Sequence, residues 1–213
     1  MKELTILMCW HDDPDPEKQQ AYAINKNSFI HHNPESAIIS IPNRFENKDK
    51  AWLSTDLNIF LWFVDEGYKI ESERYLLVEW DCWCNCNLKD YYSRVWDCDV
   101  VGPSVFYPKR DYWNWFNAIP DLPLKARPYA TGIVPFNGIL LSGKAMESIS
   151  KEILKAEFDN FNSEMRLATI ASMLNMDPIV NPVCNRNITW KEVDYFDYSQ
   201  QSLFHPVKKP VVF

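Results

Sequence analysis

Over the first eighty positions, apolar residues alternate between strand-length runs and helical spacing. Residues 4–10 form a short apolar run, broken by the acidic, proline-bearing segment His11-Asp12-Asp13-Pro14-Asp15-Pro16. Asp15 followed by Pro16 predicts an N-cap and a first helical residue, with Glu17 at the positive end of the helix dipole. That helix runs to about His32, where Asn33-Pro34 stops it. Residues 37–41 predict a second strand, ended by Pro42-Asn43. Ser54-Thr55-Asp56 predicts the cap of a second helix, on which Leu57, Phe60, Leu61 and Val64 recur at helical spacing and which Gly67 closes. Residues 75–78 then predict a buried strand leading straight into Glu79-Trp80-Asp81. This alternation predicts an α/β fold with a parallel sheet and helices on its faces. Ligands of such sheets sit at the carboxyl ends of the strands. Three polar clusters lie there: His11-Asp12-Asp13, Pro42-Asn43-Arg44 and Glu79-Trp80-Asp81.

The second half is less regular. Its pattern predicts a helix over 88–96 and a strand over 100–105, then an aromatic stretch over 106–116 and a proline-rich connection to about Tyr129. A strand over 133–141 carries Phe136-Asn137-Gly138, and helices follow over 142–154 and 163–175. The tail, His205-Pro206-Val207-Lys208-Lys209, carries basic groups without regular structure, and the chain stops after an apolar Val-Val-Phe. The expectation is one domain spanning 1–213, with a nucleotide-binding half (1–105) and a donor-sugar and acceptor half (106–213), cut from a longer protein.

Composition narrows the function classes. With 46% hydrophobic and 24% charged residues over 213 positions, the chain has the make-up of a soluble globular protein. Its net charge of −7, with only 22 Lys and Arg, argues against a nucleic-acid binder, which needs a basic face to release counterions. No stretch approaches the roughly 20 apolar residues of a membrane span. The N-terminal apolar run is too short for a signal-peptide core, so a cytoplasmic location is expected. There the six Cys would be reduced, and the spacing Cys82-x-Cys84-x-Cys86 fits buried thiols better than a zinc template. Aromatic residues reach 15%, nine of them Trp, and indole faces stack well on sugar rings and bases. Trp113 and Trp115 are candidates for such a platform, or for core packing.

An acid-x-acid motif at the end of a buried strand suits Mg²⁺ or Mn²⁺, which take one or two carboxylates together with phosphate oxygens. It equally suits a solvated acidic turn. Likewise Asp12, Asp13 and Asp15 suit helix capping as well as ligand binding, and His205 alone suits an ordinary surface histidine.

In order along the chain, the strand YLLVEWD, the later strand PFNGILLSG and the tail HPVK resemble the GT-A class of nucleotide-sugar glycosyltransferases. In size and element order the chain is also similar to viral members of that class, which would place it in a host cytoplasm. The resemblance implies a GT-A-like, Rossmann-related sheet, mixed but mostly parallel. It implies a divalent metal held by Asp81 and His205, with Glu79 as the first acid of the motif and Lys208 on a phosphate. Here that first acid is Glu where the class has Asp, so Glu79 would reach the metal through water or contact a ribose hydroxyl. Imidazole ligation favours Mn²⁺ over Mg²⁺. Trp10, His11, Asp12, Asp13, Ser40, Pro42, Asn43 and Arg44, with Trp80, would hold the nucleotide. An Asp accepting from uracil favours a UDP-sugar. Asn137 and Gly138 would face the donor sugar. Glu164 would be the base of an inverting enzyme or line the far face of the sugar in a retaining one, and the Asn-Gly strand and His/Lys tail lean toward retention. Asp81, through its metal, and Glu164 would carry catalysis on a hexose or deoxyhexose passed to a glycan acceptor. Two other classes stay open: a nucleotidyltransferase, which wants a glycine-rich loop that HDDPDPEK lacks, and a carbohydrate-binding module, which wants an all-β pattern.

Overall fold

The computed structural model describes residues 2–10, 13–184, 187–191 and 196–209. Its first strand, β1 (Lys2–Trp10), is followed by α1 (Pro16–His32), whose cap is the predicted one: the Asp15 carboxylate accepts the Glu17 N–H. Strand β2 (Ala37–Pro42) follows, then α2 (Lys48–Leu53), α3 (Thr55–Asp65) and β3 (Ser72–Glu79). Both β2 and β3 pair parallel with β1, on opposite sides of it. The chain therefore reverses its direction of winding at β1, and a crevice opens beyond the carboxyl ends of β1 and β3.

A second set of short elements completes the sheet: β4 (Trp83–Cys84), α4 (Leu88–Tyr91), β5 (Val100–Gly102), β6 (Val105–Phe106), β7 (Gly132–Ile133) and β8 (Ile139–Ser142). They are followed by α5 (Gly143–Ile153), α6 (Ser163–Met173), β9 (Ile179–Val180) and β10 (Leu203–Phe204). The main sheet runs β2-β1-β3-β8-β5-β9, with β8 antiparallel to both of its neighbours. The fold is thus α/β with a mixed sheet, and residues of both halves of the chain share it.

Alternation along the central strands feeds two cores, as expected where both faces of a sheet are covered. Leu7, Tyr75, Leu77 and Leu141 face the layer formed by α3, α5 and α6. Ile6, Met8, Leu76, Val78 and Leu140 face Phe29 of α1 and the buried Cys82, Cys84 and Cys86. All six cysteines are free thiols and five are buried. No helix among the described residues is long and apolar enough to cross a membrane.

Three sequence expectations change. The strand expected over 133–141 is two strands separated by a loop, because Pro135 offers no N–H to a ladder and Gly138 sits at φ 64°, in the left-handed region. The strand expected over 100–105 is likewise divided around Pro103. The helix expected over 88–96 is a single α-turn, α4, followed by a 3₁₀ turn over Ser93–Val95, with the buried Tyr92 between them donating to the Gly138 carbonyl at 2.8 Å. One helix, α2, has no counterpart in the sequence reading. It buries only Ala51, so it leaves no apolar periodicity to find.

Candidate functional site

The carboxyl end of β3 carries Glu79-Trp80-Asp81, and the C-terminal tail is fastened directly onto it. β10 pairs antiparallel with β4, and the Val207 N–H donates to the Asp81 carbonyl at 2.7 Å. From α1, the Asn25 side-chain amide donates to the carbonyls of both Trp80 (3.1 Å) and Val207 (2.9 Å), bridging strand end and tail. Although 124 positions separate them in sequence, Asp81 and His205 are neighbours in space: His205 Nε2 lies 3.3 Å from Asp81 Oδ1 and 3.6 Å from Glu79 Oε2.

Ligand-type atoms of Glu79, Asp81 and His205 all fall within 4.8 Å of one another, the one such trio among the described residues. Its electrostatics are strained. Burial, reinforced by the neighbouring Asp81 charge, pushes Glu79 up to about 7. Burial also works against the charged form of Asp81, but His205 and Lys208 outweigh it and hold Asp81 below the usual carboxylate range. For His205 burial favours the neutral ring, yet the two carboxylates raise its pKa on balance. The Thr189 carbonyl lies 2.7 Å from Nδ1, which assigns the ring proton to Nδ1 and turns Nε2 toward the carboxylates. Asp81 Oδ1 is buried and has no well-aligned hydrogen-bond donor, His205 Nε2 at 3.3 Å being its charged neighbour. An orphaned carboxylate oxygen beside a second carboxylate and an imidazole is a donor set that suits a divalent cation, and a cation there would relieve both the missing partner and the like-charge repulsion.

This trio forms the floor of a cavity of about 510 Å³. Around it stand Trp80, Lys208, Pro135 and Phe136, the start of α6 with Glu164, and the indoles of Trp52, Trp113, Trp115 and Trp190. Glu164 is buried, and its Oε1 accepts from the Trp190 indole N–H (2.7 Å) and the Phe136 N–H (3.0 Å). Burial dominates over these donors and pushes its pKa up to about 7. Such a carboxyl contributes stability below its ordinary value of 4.5, and that contribution is lost as pH rises through about 7. The interval is worth about 3 kcal/mol. Gln keeps the acceptor for both N–H groups and loses only a weak 3.3 Å contact with Asn162. Urea denaturation of Glu164→Gln at pH 5 and pH 8 should therefore show a flatter stability profile than the parent, with the variant gaining on it at the higher pH.

The remaining sequence candidates lie elsewhere. Trp10 stacks on Tyr22 (4.2 Å between ring centroids) and meets the edge of Trp80 (5.8 Å), which puts it next to the cavity rather than in its wall. Asp13 caps the Asp15 N–H and pairs with Lys18 at 2.6 Å. Ser40 accepts from Lys26 (2.8 Å) and contacts the Tyr22 hydroxyl. Pro42 ends β2, Asn43 is bound within its own turn to Phe45 and to Asn58, and Arg44 pairs with Asp65. Asn137 is fully buried with both side-chain polar atoms unpartnered. Gly138 packs against Ile188, Tyr92 and Leu203 and does not line the cavity. His11 and Asp12 lie outside the described residues. Trp113 is only 7% exposed, covered by Phe116 and Trp190. Trp52, Thr189 and Trp190 escaped the sequence reading. Trp190 and Thr189 carry no local motif, and Trp52 stands on the aperiodic helix α2.

No known family model matches the chain, and no curated protein matches it by sequence. Similar solved structures include a glycosyltransferase involved in glycosylation of the major capsid of the chlorella virus PBCV-1, at 12% identity and TM-score 0.49, covering 84% of this chain and 80% of that one. Mouse xyloside xylosyltransferase 1 aligns at 13% identity and TM-score 0.49, over 98% of this chain and 99% of that one. The glycosyltransferase GlyE of Streptococcus pneumoniae TIGR4 aligns at 13% identity and TM-score 0.42, over 84% of this chain and 45% of that one.

Proposed function

We propose that this chain transfers a hexose or deoxyhexose from a UDP-sugar to a glycan acceptor, with a divalent cation, Mn²⁺ in preference to Mg²⁺, held by Asp81, His205 and Glu79. The observation that carries this reading is the trio itself: two carboxylates and an imidazole, one carboxylate oxygen orphaned, at a strand end in an aromatic-walled cavity. When bound there, the cation supplies positive charge to the leaving diphosphate.

The chain's own groups do the rest. Lys208 adds a second positive charge on the same side of the cavity. Trp10 and Trp80 offer aromatic edges and faces to the uridine, with Asp13, Ser40, Pro42, Asn43 and Arg44 beyond them on the β1 and β2 side, and Asn137 and Gly138 support the loop beside the donor sugar. As the bond from anomeric carbon to diphosphate oxygen breaks, its electron pair leaves with UDP. The acceptor hydroxyl oxygen forms the new bond to that carbon, and its proton passes to the departing phosphate oxygen. This course retains the anomeric configuration, with Glu164 lining the far face of the sugar.

The test is incubation of the protein with UDP-glucose, UDP-galactose and other UDP-sugars, with Mn²⁺ and with EDTA, reading UDP release. Mn²⁺-dependent release from at least one donor is expected, and NMR of the product gives the anomer. A protein that binds no UDP by calorimetry at any Mn²⁺ concentration would refute the reading.

A further inference from the structure

Half of Trp190 is exposed, yet the residue is far from loose. One face of its indole stacks on Trp113, with centroids 6.3 Å apart and planes 18° from parallel, and the edge contact with Phe106 at 6.2 Å steadies it further. Its N–H is committed to Glu164 Oε1. Trp52, two-thirds exposed, stands in the wall of the same cavity beside Trp115 at 6.4 Å. An indole fixed on one side and open on the other offers a flat apolar surface, the complement of the C–H face of a pyranose ring. Carboxylates within the same cavity supply acceptors for sugar hydroxyls. Three of them, Glu79, Asp81 and Glu164, stand against Lys208 and His205, so an acceptor carrying its own negative charge would be repelled once the cationic groups are engaged by a diphosphate.

We infer that Trp190 and Trp52 form the binding platform for a neutral pyranoside acceptor, and that Trp190 is also the positioning residue that fixes Glu164 in the wall of the same cavity. This deepens the glycosyltransferase reading and rests on it for the transfer step, but saccharide binding to the platform needs neither donor nor metal. Trp113, which the sequence offers for the platform, is instead the layer beneath it. Donation from Trp190 and the Phe136 N–H both fall on Oε1, so Oε2, with only the 3.3 Å contact to Asn162, is the oxygen available to a sugar hydroxyl.

The test is fluorescence titration of the full chain with methyl glucosides, methyl galactosides, lactose and maltose, set against glucuronate and sialyllactose, for the parent, Trp190→Phe, Trp190→Ala and Trp52→Ala. Expected is saturable binding of at least one neutral saccharide and, with UDP and Mn²⁺ present to engage the cationic groups, none of the acidic ones. Affinity should fall about tenfold in Trp190→Ala and in Trp52→Ala, the scale of one aromatic stacking contact. Trp190→Phe keeps a ring but lacks the N–H. It should stay within about threefold of the parent in acceptor KM, while kcat drops and the acid limb of the pH–rate profile moves to higher pH, because Glu164 has lost a donor. Trp52 stands on α2, away from the bend that carries Trp190, so it decides the question should Trp190→Ala not fold. Absence of saccharide binding by the parent, unchanged affinity in Trp52→Ala and Trp190→Ala, or equal binding of the acidic saccharides in the presence of UDP and Mn²⁺ would each overturn the inference. Saccharide binding with this mutational pattern but no UDP binding would leave the platform standing and remove the transferase reading; UDP binding with no platform effect would do the reverse.

Discussion

Replacing Arg166 with leucine is expected to cost about 3–5 kcal/mol of unfolding free energy, the usual loss when one partner of a buried ion pair is removed. The guanidinium is fully buried and every one of its N–H groups has a partner. It donates to both carboxylate oxygens of Asp56, to the carbonyls of Phe158 (3.1 Å) and Asp159 (3.3 Å), and to the carbonyl of Leu53 (3.2 Å). Leucine would leave the equally buried Asp56 facing an apolar side chain, with only the Leu57 N–H as a donor. Against a typical total of about 5–15 kcal/mol, a loss of that size brings the domain close to unfolding at ordinary temperature. Urea denaturation of the single variants and of Asp56→Leu/Arg166→Leu gives the check. The double variant should lose much less than the sum, because an apolar pair has no stranded charge. A single-variant loss under about 1 kcal/mol would show that the pair is not the clamp described. The pair also matters for the site, since it ties the end of α2, next to Trp52, to the start of α6, which carries Glu164.

Asp81→Asn is expected to do the opposite: little change in stability and a large loss of activity. Removing the Asp81 charge takes away the repulsion that helps to push Glu79 up to about 7, but it also gives up the attraction of His205 and Lys208 that holds Asp81 below the usual carboxylate range. The two effects oppose each other, so thermal unfolding of the variant should stay close to that of the parent. Catalytic turnover with the best UDP-sugar should fall on the order of a thousandfold, the scale seen when a preorganised electrostatic contact to a developing anion is lost. UDP affinity should fall in Mn²⁺ and be unchanged in EDTA, because the residue acts through the cation. Steady-state kinetics and calorimetry on the one variant decide the matter, and activity within tenfold of the parent would take Asp81 out of the mechanism.

Much of the first half was legible because its signals are local. Apolar runs of strand length, the Asp15-Pro16 cap and the Asn33-Pro34 stop predict β1, α1 and β2 from residues only a few positions apart, and burial on both faces makes β3 a continuous apolar run. Glu79 and Asp81 could be picked out because they terminate such a strand, and His205 because tail order resembles a known class. What stayed hidden is long-range. Arg166 meets Asp56 across 110 positions, Trp190 meets Glu164 across 26 and Thr189 meets His205 across 16, and none of these pairs leaves a periodic trace. The nucleotide-side candidates show the converse difficulty. Asp13 and Arg44 have the right residue types beside the right strands, but in the structure they are engaged by Lys18 and Asp65, an arrangement that spacing alone does not reveal. Residues 133–141 misled for a different reason: their apolar content is that of a strand, while Pro135 and Gly138 impose backbone conformations that a ladder does not accept.

The proposed function depends on a cation being held between the end of β3 and the tail that crosses it. Crystals grown with Mn²⁺ and UDP, measured at the manganese absorption edge, test this most directly. The account predicts one strong anomalous peak in this cavity, bonded to Asp81 and His205 Nε2 and to oxygens of both phosphates. A cavity without a peak, or manganese bound to the diphosphate with Asp81 and His205 turned away, would contradict it.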